Sequence, residues 1–154
     1  QTTLLRLVAE VADLTGAEWL LTPRLLDPVD LGLLQAGAPI TRIGDSLPTS
    51  PAWSLYRLEV SVDSPIRITV QPEAGAEMIP SLELYARGYH YQTTWHSSPT
   101  MDELGRLDQD VATVPGGPAQ LDLTAPYDGE LLVFVLNDNM AGETDLYDLT
   151  VSIP

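Results

Sequence analysis

Apolar residues at every second position over the last two thirds of the chain predict an all-β protein. Turn signals recur at short intervals, and no long helical run separates the apolar stretches. The fold expected is an antiparallel, jelly-roll-like β-sandwich of about seven or eight strands. An N-terminal apolar extension, a short helix plus a proline-broken segment, should precede it. The boundary is drawn at 43/44, with residues 1–43 as an extension or docking arm and 44–154 as the sandwich.

The extension opens with TTLLRLVAEVADLTG, where Leu4, Leu5, Val8, Val11 and Ala12 fall at helical spacing between a threonine and Gly16. AEWLLTPRLLDPVDLGLLQAGAPI follows, rich in leucine but interrupted by Pro23, Pro28 and Pro39, which forbid a long helix. These apolar residues (Leu4, Leu5, Val8, Val11, Trp19, Leu20 and Leu21 foremost) need a surface to bury them. Either the chain's own sandwich or a neighbouring protomer can provide it, in the second case as an assembly arm, including by strand addition.

From Trp53 the period becomes two. Tyr56, Leu58, Val60 and Val62 share one face of the first strand, and Ile66, Ile68 and Val70 share one face of the next. Leu82, Leu84 and Ala86 mark a third strand, Leu121 and Leu123 a fourth, and Tyr147, Leu149, Val151 and Ile153 the last. ELLVFVLN is apolar on both faces, as a central strand covered on each side must be. Asp63-Ser64-Pro65, Gly116-Gly117-Pro118, Asp128-Gly129 and residues 137–142 supply the turns.

The order of five motifs, GDSL from Gly44, YRLEVSVDSPIRITV from Tyr56, PSLELYARG from Pro80, PYDGELLVFV from Pro126 and GETDLYDLTVSI from Gly142, resembles the bacterial pre-peptidase C-terminal domain. The likeness covers about two thirds of the chain, roughly residues 44–154. It implies a secreted β-sandwich of the kind appended to proteases. The chain departs from that pattern in GYHYQTTWHSSP, which lacks the family's acidic hairpin residues, and in the longer spacing between Gly142 and Tyr147.

Twenty-two acidic residues against seven arginines give a net charge of −15, which repels phosphate backbones and disfavours nucleic acid and anionic membranes as partners. No apolar run is long enough to span a bilayer as a helix. The absence of cysteine removes disulfides, thiolate catalysis and zinc–thiolate sites. A chain beginning at Gln1 fits a mature, exported form, so an extracytoplasmic location is expected.

Four groups of residues carry chemistry worth weighing. Gly44-Asp45-Ser46-Leu47 spells the nucleophile motif of a class of lipases and esterases. His90 and His96 both lie mid-chain, outside the Asp-x-x-His segment such a hydrolase uses, and prolines follow where its helix should begin. A turn leading into the first strand accounts for the motif better. Tyr85, Arg87, Tyr89, Tyr91 and Trp95 form an aromatic strip suited to stacking on sugar or packing on protein, with Tyr85 and Arg87 expected to face outward. The two histidines alone make a poor metal constellation. Asn137, Asp138, Asn139, Glu143 and Asp145 offer hard oxygens to Ca²⁺, but without EF-hand spacing, and their turn chemistry favours an ordinary loop over an ion site; Asp102, Glu103, Asp108 and Asp110, in an expected long loop, are a weaker set.

The function expected from these features is that of a non-catalytic, extracytoplasmic accessory or assembly subunit. It would bind protein subunits, of the same or another chain, and require no cofactor. A carbohydrate- or matrix-binding module, with or without calcium, is the alternative, and a hydrolase using Ser46 is a distant third.

Overall fold

Alternating apolar residues form strands because one face of each pleated strand can then be buried. The computed structural model describes residues 28–47, 53–86, 106–139 and 145–154, together with the strand pairing of 4–10 and 20–26. Among them are eleven strands and no helix: β1 Leu4–Glu10, β2 Leu20–Leu26, β3 Val29–Leu33, β4 Ile40–Ser46, β5 Trp53–Val60, β6 Pro65–Pro72, β7 Pro80–Ala86, β8 Arg106–Val111, β9 Ala119–Thr124, β10 Gly129–Asn137 and β11 Leu146–Ser152.

Nine of these build a β-sandwich. One sheet runs β3-β5-β10-β7-β8, the other β4-β11-β6-β9. β10, the strand apolar on both faces, is central to its sheet, as expected. Every pair is antiparallel except β3 with β5, which run parallel. The two sheets meet over a core that includes Tyr56, Leu58, Ile66, Ile68, Val70, Leu82, Leu84, Leu131, Val133, Tyr147, Leu149 and Val151, the inward sets of the sequence pattern. Leu47 joins this core, so the residue after the Gly-Asp-Ser triplet anchors the chain. Val62 does not, because β5 ends at Val60 and the chain turns through Asp63 in the left-handed region, leaving Val62 exposed.

Three expectations change. The N-terminal segment expected to be helical contains β1, paired antiparallel with β2 in a separate two-stranded sheet. Its leucines and valines fit either period, and long-range pairing rather than local spacing decides between them. The proline-broken segment is also extended, with Pro23 inside β2. β3 and β4 belong to the sandwich, which therefore takes in strands ahead of residue 44. Finally, Asp108 and Asp110 lie on β8 rather than in a loop.

Candidate functional site

Two surfaces of the sandwich combine exposed or outward-facing apolar groups with a definite geometry. The first is the side formed by β3 and β4, each the end strand of its sheet. Both strands carry a bulge. In β3 the register slips between Asp30 and Gly32, and in β4 the residues Ile43 and Gly44 together oppose Asp148 of β11. Gly32 and Gly44 sit at φ +79° and +66°, a conformation that favours glycine. A carboxylate holds each bulge: the Gly32 N–H donates to Asp30 Oδ1 and the Gly44 N–H to Asp148 Oδ1, both at 2.9 Å. The β4 bulge thrusts Ile43 outward, 81% exposed, on the same side of the sandwich as Val29 (39%) and Leu33 (48%) of β3.

Behind β4 lies a polar chain through the core. The Tyr56 hydroxyl donates to Asp45 Oδ2 at 3.0 Å, and the Tyr147 hydroxyl lies 2.6 Å from that of Tyr56. An ionised carboxylate only accepts, so Tyr56 donates to Asp45 and Tyr147 donates to Tyr56. Arg42 Nε closes the chain on Asp45 Oδ2 at 3.2 Å. Burial pushes the pKa of both tyrosines up; the phenolic neighbour and Asp45 push that of Tyr56 further. The triplet Gly44-Asp45-Ser46 is thus a bulged antiparallel edge strand, with Ser46 exposed at its end. A hydrolase nucleophile needs a sharp strand-to-helix turn instead. His90 and His96 lie outside the described residues.

The second surface is the outer face of the five-stranded sheet. Trp53, Leu55, Tyr85 and Phe134 cluster there, with Leu132 and Leu136 against them. The Phe134 ring centroid lies 5.5 Å from that of Trp53 and 5.2 Å from that of Tyr85, the latter edge-on. Tyr85 points away from the sandwich core, as alternation requires, but only 7% of it is exposed. The expectation of an exposed ring at Tyr85 is corrected accordingly: outward from one layer does not mean open to water. Its hydroxyl donates to Glu83 Oε2 at 2.7 Å, and Arg106 Nη1 lies 3.4 Å from Glu83 Oε1. Arg87, Tyr89, Tyr91 and Trp95 lie outside the described residues.

The oxygens considered for calcium are engaged by backbone. Asn137 Oδ1 accepts from the N–H groups of Ile79 and Asn139, each at 3.0 Å. Asp145 Oδ2 accepts from Glu77 at 2.7 Å and Met78 at 2.9 Å, and Asn139 Nδ2 donates to the Glu77 carbonyl. These side chains staple the 77–79 segment to the ends of β10 and β11. Asp138 contributes its backbone N–H, donated to the Ile79 carbonyl at 2.8 Å, and Glu143 is outside the described residues. Asp110 Oδ2 likewise accepts from Gln120 N–H at 2.7 Å, bridging β8 to β9; Asp102 and Glu103 are not among the described residues. Among the described residues no three His, Asp or Glu side chains gather to hold a metal ion, and no helix is long and apolar enough to cross a membrane. Leu4, Leu5 and Val8 fall on β1 and Leu20 and Leu21 on β2; Val11 and Trp19 are outside the described residues. Sequence reasoning missed Ile43, Val29 and Leu33. Gly32 and Gly44, each next to an apolar residue in an otherwise mixed stretch, were the available signal of bulged strands.

No family model matches the sequence, and no curated protein is significantly similar to it. Solved structures are. The pre-peptidase C-terminal domain of a collagenase from Bacillus anthracis is similar at 18% identity and a TM-score of 0.49, over 84% of this chain and 98% of that one. MopE, a secreted protein of Methylococcus capsulatus in which an oxidised tryptophan facilitates copper binding, matches at 10% identity and a TM-score of 0.52, over 99% and 94% of the two chains. CorA, a surface-associated copper-binding protein of Methylomicrobium album BG8, matches at 11% identity and a TM-score of 0.46, over 83% and 100%. The likeness to MopE is one of fold.

Proposed function

We propose that this protein is a non-catalytic, extracytoplasmic contact module, an accessory or assembly subunit that engages a protein partner along the β3/β4 side of its sandwich. The observation that supports this most is Ile43, 81% exposed on a bulged end strand, with Val29 and Leu33 exposed on the end strand of the other sheet. Isolated exposed aliphatics are ordinary, but here three stand on the end strands of the two sheets, Val29 and Leu33 on β3 and Ile43 on β4. The bulges blunt both strands against continuous strand addition, so the contact works through side chains rather than through main-chain pairing. Its apolar character suits a protein surface, and the chain's net charge of −15 argues against nucleic acid. Location outside the cytoplasm is part of the proposal; MopE, which shares the fold, is a secreted protein.

A photo-crosslinking residue placed at position 43 in the producing cell tests this, with position 114 as control. Val114 is also exposed, at 56%, but lies in the turn between β8 and β9 on the other side of the sandwich. A discrete protein adduct from position 43 and none from 114 is expected. No adduct from 43, or the same adducts from both, overturns the reading.

A further inference from the structure

The cluster of Trp53, Leu55, Tyr85 and Phe134 poses a question of cover. Its side chains point away from the opposite sheet, yet each is only 6–7% exposed. Leu132 and Leu136, the described side chains that pack on the cluster, belong to the same sheet. A single layer of strands does not bury its own outer aromatics to that extent.

The hairpin of β1 and β2 has the opposite problem. Its two strands pair with each other and with no strand of the sandwich. Such a hairpin is marginal in water. Arg6 and Arg24 stand directly across from each other, where like charges destabilise, and Pro23 brings no N–H donor. Pairing sets Leu5 against Leu25, Leu7 against Pro23 and Ala9 against Leu21. By pleat and register these six residues share one face, without a charge or a polar group. Both arginines and Glu10 fall on the other face.

We infer that this uncharged face packs on the outer aromatic face of the five-stranded sheet of its own chain, as a third layer. The tether supports that choice. Only residues 27 and 28 separate β2 from β3, and β3 is an edge strand of the same sheet. Two residues reach about 7–10 Å, close to the spacing at which one layer packs on another. β3 runs parallel to β5 and begins opposite Tyr56, so the hairpin joins the sheet toward the end where Trp53 pairs with Leu136. Charge points the same way. Residues 1–26 carry two arginines and three acids, a net −1, leaving −14 of the −15 on the remainder. The layer nearest neutrality is the one expected to pack as an interior surface.

The absence of cysteine permits a clean test. In the full chain, Leu7→Cys with Leu136→Cys, oxidised at low protein concentration, is expected to give an intramolecular disulfide seen as a fast-migrating monomer on a non-reducing gel. Leu4→Cys with Leu136→Cys, on the opposite hairpin face, should not. A disulfide-linked dimer would place the hairpin on a second copy and overturn the inference. So would no disulfide, or equal yields from both pairs. In the same chain, Leu5→Glu with Leu25→Glu should lower the thermal midpoint by roughly 4–8 °C and raise binding of a hydrophobic dye, while Leu4→Glu with Leu26→Glu should do neither. If the first pair leaves both readouts unchanged while Tyr89→Ser with Trp95→Ser moves them, residues 87–105 form the cover and the hairpin does not.

Discussion

The inner face of the five-stranded sheet carries Leu58, Leu82, Leu84, Leu131, Val133 and Val135; the outer face carries Trp53, Leu55, Tyr85 and Phe134. The inner set is almost wholly aliphatic and meets a second sheet whose Ile66, Ile68, Val70, Leu149 and Val151 interdigitate with it. The outer set is mostly aromatic, with rings in tilted and edge-on contact. Branched aliphatics fill the gap between two regular pleated layers at crystal-like density. Large rings cover more area per residue and tolerate a less regular neighbour. The same strands thus build two kinds of interior, one fixed by sheet-on-sheet packing and one by whatever covers the aromatics.

Substitutions can break that distinction. Leu58→Ala, at a position with no exposed surface, should have the largest effect, about 2–5 kcal/mol in chemical denaturation, because the surrounding sheet cannot collapse onto the cavity. Phe134→Leu should lose about 1–2 kcal/mol through its two ring contacts, with the outer cover able to adjust. A Phe134→Leu loss equal to that of Leu58→Ala would show that the two faces are equally rigid.

The tyrosine pair sharpens the comparison from the inside. Burial raises the pKa of Tyr56 and Tyr147 above that of an unfolded tyrosine, near 10. The folded state therefore keeps phenolic protons that the unfolded chain gives up. This contribution is complete below about pH 10 and is lost as the pH rises toward the folded values. Urea midpoints should fall above about pH 10, and Tyr56→Phe with Tyr147→Phe should flatten that fall. A fall of equal steepness in the double variant would assign it to other groups.

The smallest effect belongs to the exposed acids. Arg57, with the Gly32 N–H, holds Asp30 below its ordinary pKa, and Arg67, with Gln120, does the same for Asp122. Their contribution is present above the unfolded carboxylate value, near 3.9, and lost as the pH falls through the folded values. Both groups are solvated, so Asp30→Asn with Asp122→Asn should barely alter the acid limb of the same titration.

The strands β5, β6, β7, β9, β10 and β11 were legible in the sequence, and so was the central place of β10, because one-sided or two-sided burial leaves its mark on every second residue. β8 was not: RLDQDV has few apolar residues, and its edge position demands no apolar face. β3 and β4 were hidden for a related reason, since a bulge interrupts the period of two in each. The helix expected near the N-terminus was lost to pairing with residues 20–26, a partner that local spacing does not reveal.

The order of apolar residues alone determined that this chain is a β-sandwich. Alternation also placed Tyr85 on the outward side of its strand. Only the tertiary structure decided that this side is buried, that Gly44 belongs to a bulge rather than a nucleophile turn, and that Ile43 stands out from the edge. Periodicity reports which way a side chain points from its own strand. What it meets there depends on residues far away in sequence, and their contacts leave no period to read.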